Sequence, residues 1–420
     1  MKKLFKASSA LFPYFALALC FGSGSFTFGL APSMRVPLLF TGFLMLSLFW
    51  LSKLGSFNSR NAGIAVCGIG YGLIFVLYGY IREQNTIGIN NIVFTLIASG
   101  FFVNGVLWGG SKVSKFKISN FLVICAMPIA ILILSKSTTA YTQYLNYAIN
   151  LLAGGRELSL DTGNPVGVAY ANSLLCITLL FLSISVRHII VKVCLLLGAL
   201  LSVYIVISTA SRGAILYIFI TSILFIIAYF FTTKKKISLL GNIKKWALNS
   251  IAILVFSVPA FLLFKEKVFV LLDRVAVLFE RFYEAIGFLQ GVSNLDQSTS
   301  GRFAVYEYHL VNWLDWIVFG EYNYAPYPHN LILEVIMRIG LMGFPLCIII
   351  LYILLKNLYN LFNNSFYKNA DWYFFYFLYC FSFMQSMTSL SLEINRGVWL
   401  SLGFLIVYSP IRAYKHSLDI

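Results

Sequence analysis

The stretch YPHN, residues 327–330, sets His329 between Pro328 and Asn330 just where an apolar run begins. The chain has four histidines, the others being His188, His309 and His416, and none sits in a metal-ligand pattern such as HExxH. Pro326 and Pro328 interrupt any preceding helix, and proline suits the first turn of a new one, so His329 and Asn330 are expected at a helix N-terminus. Free backbone N–H groups there attract phosphate, and the local dipole opposes protonation of the imidazole. A neutral imidazole beside an anion can accept a proton from a hydroxyl. Taken alone, such a histidine more often serves as an interfacial hydrogen-bonder than as a base.

Two arginines stand in comparable places. Arg212, in SRGA (211–214), lies on a connection too short to leave the membrane surface, where it either snorkels to headgroups or lines a polar cavity. Arg302, in GRFAVYE (301–307), follows a flexible Gly301 and is expected to open a helix. A cation in a first turn opposes the helix dipole, so an anionic ligand or Glu307 must compensate it. Beyond His329, Glu334 and Arg338 are four apart and can pair, while Gly340 and Gly343 permit close helix contact.

The elements that must hold these residues follow from composition. Of 420 residues, 60% are hydrophobic, 17% aromatic and only 11% charged, and apolar runs near bilayer length recur throughout. Twelve spans are expected, at roughly 11–31, 36–52, 62–81, 87–108, 119–135, 164–185, 189–209, 213–232, 246–264, 331–355, 372–392 and 397–410. Lipid offers no partner to exposed backbone polar groups, and the runs lack the alternation of a barrel. An all-α polytopic membrane protein follows, with residues 1–420 as one integral membrane domain. MKKLFK precedes a first span expected to stay as an anchor, because Leu19 before Cys20 fits neither ordinary cleavage nor lipidation.

Two outward connections are long, 136–163 and 265–328, and long structured loops usually carry function. The second lies between the ninth and tenth spans. Its first part repeats charged pairs every seven residues (Glu266/Lys267, Asp273/Arg274, Glu280/Arg281) around apolar positions at helical spacing, which predicts an amphipathic helix on the outer interface. A turn-rich linker, GVSNLDQSTSG, then leads to a segment rich in Trp and Tyr that suits headgroup anchoring or sugar stacking.

Charge orients the array. With the N-terminus inside, 16 of the 19 lysines fall on the cytoplasmic side, including KKK at 234–236, and an even number of spans returns the C-terminus there. The formal net charge of +16 is thus a topology signal and calls for no nucleic-acid partner. By contrast, 9 of the 12 arginines face out. Arginine grips phosphate with a planar fork, so this excess suggests an outward-facing anionic ligand, although a positive-inside bias that fell on lysine explains it as well. The seven cysteines sit singly in apolar runs and read as packing residues.

Arg212, Arg302 and His329 therefore map to one membrane face. In order and spacing, SRGA (211–214), GRFAVYE (301–307) and PHNLILEVIMRIGLMG (328–343) resemble the O-antigen ligase and polymerase family of bacterial envelope glycosyltransferases. The likeness spans about residues 160–345, beginning with TGNPVGVAYANSL (162–174). It implies a GT-C type fold in the bacterial inner membrane, working without metal, nucleotide sugar or other cofactor. The implied donor is a glycan on undecaprenyl pyrophosphate at the periplasmic face. Arg212 and Arg302 take the family's pyrophosphate-binding roles, and His329 is the base that deprotonates the acceptor hydroxyl. Asn330 could orient the histidine or a sugar, and Arg338, Arg281 and Arg274 are further substrate-binding candidates. The YPHN context and the modest loop favour a polymerase, with membrane lipid and a chain-length regulator as further partners; a ligase acting on lipid A–core is the alternative. A lipid-linked-oligosaccharide flippase is the rival from another class, but it is expected to carry ionisable residues midway along its spans, which are almost devoid of them here.

Overall fold

The computed structural model describes residues 16, 19–20, 32–52, 58–82, 89–110, 165–185, 189–208, 211–232, 297–321, 327–363, 370–388 and 395–408. These residues are helical, with no strand among them. The first half supplies α1 (Pro32–Leu51), α2 (Ser59–Arg82) and α3 (Ile89–Gly110), then α4 (Pro165–Ser185), α5 (Ile189–Ser208) and α6 (Arg212–Thr232). The second supplies α7 (Gln297–Val311), the one-turn α8 (Trp313–Trp316), α9 (Leu331–Ile339), a 3₁₀ turn (Gly340–Gly343), α10 (Phe344–Asn363), α11 (Ala370–Ser386) and α12 (Arg396–Val407). The expected spans at 119–135 and 246–264, nearly all of that at 11–31, and the loop segments 136–163 and 265–296 with Arg274 and Arg281 lie outside the described residues.

Four described segments are long and apolar enough to cross a bilayer: Ser59–Ile81, Ile92–Gly110, Ile189–Ile207 and Leu331–Leu361. Shorter apolar helices cover Leu39–Leu51, Ala169–Leu180, Arg212–Leu224 and Arg396–Val407. The chain is thus a polytopic helical membrane protein.

Close packing of α3 on α12 is made possible by small residues. Gly105 and Gly109, one turn apart, face α12, and a Cβ on Gly109 would lie 2.6 Å from the Phe404 carbonyl. Gly403 answers from α12, with the Phe102 carbonyl against it. Backbones in lipid approach this closely only where side chains are absent, and dispersion then holds the pair. A run of rings through Trp50, Trp108, Phe375 and Phe404 links α1, α3, α11 and α12 at centroid distances of 5.4, 5.2 and 4.0 Å.

At the centre sits α11, with Trp372, Tyr373, Phe375, Tyr376 and Tyr379 all buried. Polar groups inside must find partners. The Trp372 indole donates to Asn357 Oδ1 at 2.8 Å, and the Tyr379 hydroxyl donates to the Ile350 carbonyl at 2.8 Å. The buried Asn395 side chain caps α12 by accepting from Val398 N at 3.2 Å, while its amide donates to the Ser382 carbonyl of α11.

Candidate functional site

His329 is set in place by the residue that follows it. Asn330 is the N-cap of α9, its extended backbone (φ −145°, ψ 116°) letting Oδ1 accept from Ile332 N and Leu333 N, each at 3.1 Å. His329 itself has φ +49°, and among the described residues no other non-glycine has a positive φ. Left-handed backbone is costly for a residue with a Cβ, and such outliers gather at functional sites. The helix thus starts three residues after Pro328, so the prolines precede the cap and do not occupy its first turn as expected. Two of the amides expected to bind phosphate are already used by Asn330.

The His329 ring packs edge-on to Tyr327, with centroids 4.6 Å apart at 82°. Its Nδ1 is buried with no hydrogen-bond partner among the described residues. Burial and, after it, the Arg302 guanidinium hold the imidazole below the usual value of 6.5. The ring is therefore neutral at physiological pH.

Arg302 reaches this point from α7. The helix begins at Gln297, taking in the end of the expected linker, so Arg302 lies in its second turn and does not open it. The conflict with the helix dipole disappears accordingly. From there the half-buried guanidinium acts electrostatically on two targets, His329 and the phenol of Tyr217 on α6.

Tyr217 belongs to a polar cluster between helices. Its hydroxyl and that of Tyr170 on α4 both hydrogen-bond Thr388 Oγ1, just past α11, the Tyr170 contact measuring 3.3 Å. The two rings stack at 5.9 Å and 22°. Gly213 lies under the Tyr170 hydroxyl, where a Cβ would come within 2.8 Å. Arg212, half-buried, is the adjacent residue and starts α6 at this same end. Arg302 thus lies within electrostatic range of both His329 and Tyr217, and Arg212 starts α6 next to Gly213, which neighbours the Tyr170 hydroxyl.

Arg338 is differently disposed. Its guanidinium donates to Glu334 Oε1 at 2.9 Å, the expected i to i+4 pair, and both groups are buried. Tyr327 completes the arrangement by donating to Glu334 Oε2 at 3.1 Å. A buried cation that already holds a carboxylate supports the helix beneath His329 and is poorly disposed to meet a substrate phosphate.

The loop is fastened to α9 by backbone contact. Gly320 (φ +71°) and Gly340 (φ +59°) face one another; a Cβ on either would lie 2.7 Å from the other's nitrogen. Glu321 N donates to the Met337 carbonyl, and Leu341 N donates to the Val318 carbonyl at 3.2 Å. Trp316 from α8 packs on Met337 and donates its indole to the His309 carbonyl at 3.1 Å.

Tyr170, Tyr217 and Thr388 carry no motif, and their sequence gives one faint signal, hydroxyl side chains towards the ends of apolar runs. Among the described residues no three His, Cys, Asp or Glu side chains gather as a metal site. Comparisons with protein-family models, with curated proteins and with solved structures gave no match.

Proposed function

We propose that this chain is an inverting glycosyltransferase of the O-antigen polymerase kind, with twelve spans and a GT-C type fold. It joins oligosaccharide repeat units carried on undecaprenyl pyrophosphate at the periplasmic face of the bacterial inner membrane. The observation that carries the reading is the approach of the Arg302 guanidinium to a strained, neutral and unpartnered His329.

In this reading the acceptor sugar hydroxyl gives its proton to His329 as its oxygen attacks the anomeric carbon of the donor. The bond from that carbon to the pyrophosphate oxygen breaks, and undecaprenyl pyrophosphate leaves with the electron pair. With Nδ1 buried, Nε2 is the nitrogen left to face the hydroxyl. Negative charge grows on the leaving group, so Arg302, aided by Arg212, stabilises the transition state more than the substrate. A sugar hydroxyl is a weak nucleophile, and a positioned base is worth about 10²–10⁴ in rate.

The test is elongation of lipid-linked repeat units by purified protein in vesicles. Lengthened glycans are expected from the wild type. His329→Ala should lower the rate by about 10²–10⁴, and Arg302→Ala by about 10²–10³, with insertion intact in both. Transfer only to added lipid A–core would indicate a ligase instead. Transbilayer movement without bond formation would indicate a flippase, and normal ladders from both variants would remove the site.

A further inference from the structure

A cavity lined by none of the residues of the His329 site lies between α2, α3, α10 and α12. It encloses about 450 Å³, is open along one side, and is walled chiefly by apolar and aromatic groups, including Phe75, Ala98, Phe102 and Tyr352. Its cations lie at one end. Arg60 stands in the first turn of α2, and Lys356 in the later part of α10, which runs the opposite way. Neither meets a carboxylate among the described residues; Lys356 Nζ instead lies 5.7 Å from the Tyr352 ring centroid. Asn58 caps α2 beside Arg60, so the positive end of the helix dipole adds to the two side chains.

We infer that this groove binds one anionic glycerophospholipid, its phosphate on Arg60 and Lys356 and an acyl chain along the wall toward Phe75. The charge pattern selects the occupant: two cations at the mouth and none deeper match a molecule with one anionic end and a long apolar body. Dimensions agree. From Arg60 to Phe75 the helix rises about 22 Å, more than the depth of one leaflet in a hydrocarbon core about 30 Å thick. The mouth lies at the end that the lysine excess assigns to the cytoplasm, so the lipid comes from that leaflet. The glycosyltransferase reading is not required for any of this.

Native mass spectrometry of the detergent-purified full chain tests the inference, using phosphatidylglycerol, phosphatidylcholine with the same chains, and glycerol 3-phosphate. Phosphatidylglycerol adducts should exceed phosphatidylcholine adducts by on the order of tenfold, and glycerol 3-phosphate should give none. Arg60→Gln/Lys356→Gln should bring the two lipids to parity. Ala98→Phe fills the groove and Ile349→Trp blocks its open side without disturbing the core; whichever elutes like the wild type should lose the adduct. Equal retention of both lipids by the wild type, a preference that survives the double substitution, adducts that survive groove filling, or glycerol 3-phosphate binding as well as lipid would each overturn it.

Discussion

At the scale of single residues, His329 combines features that rarely coincide without a use: a left-handed backbone, a buried ring nitrogen with no partner, and a guanidinium nearby. The proposed base must be unprotonated, so elongation rates should climb with pH along an acid limb centred below 6.5 and level off above it. Arg302→Gln removes a charge that opposes protonation and should move that acid limb toward higher pH, which residual rates across a pH series would reveal. The same shift bears on folding. The unfolded chain takes up the proton first, so this residue's contribution to stability is whole above 6.5 and is lost as pH falls through the native value. His329, Asn330 and the Glu334–Arg338 pair were legible in sequence because each depends on neighbours within one turn. The Tyr217–Thr388 bond was not, since 171 positions separate its partners and neither belongs to a motif.

Among the elements, the segment from 331 to 363 shows what hydropathy misses. A single span was expected, and one apolar run is present, but Gly340–Gly343 divides it into α9 and α10. Glycine alone allows the reversal at 340, where φ is +59° and the Val318 carbonyl occupies the place of a side chain. Hydropathy averages over that break because Leu341 and Met342 continue the apolar pattern. Gly340→Ala should therefore lower stability by about 1–3 kcal/mol and loosen the loop from α9. Gly63→Ala, on a helical site with nothing within 4 Å, serves as the control and should leave the protein at least as stable as the wild type. Melting followed by fluorescence-detected gel filtration would compare the two.

Across the whole molecule, composition was enough to predict helices at the right places: the expected 62–81, 87–108, 164–185, 189–209 and 213–232 match α2 to α6 within a few residues at each end. Partner choice was the hidden part. Nothing in the apolar runs of α3 and α12 says that they meet, because lipid and protein are equally apolar and the preference rests on where glycines leave backbone bare. The burial of α11 has a consequence for biogenesis. A segment sheathed in protein on every side has no reason to settle in bare lipid, yet it leaves the ribosome before α12, which covers it. The hydrogen bond from its Trp372 to Asn357 of α10 needs nothing from α12 and can form before that helix arrives. Truncation after Met387 should consequently yield a chain cleared by membrane proteases, detectable in a pulse-chase as a shortened lifetime, whereas co-expressing residues 388–420 as a separate fragment should restore part of it.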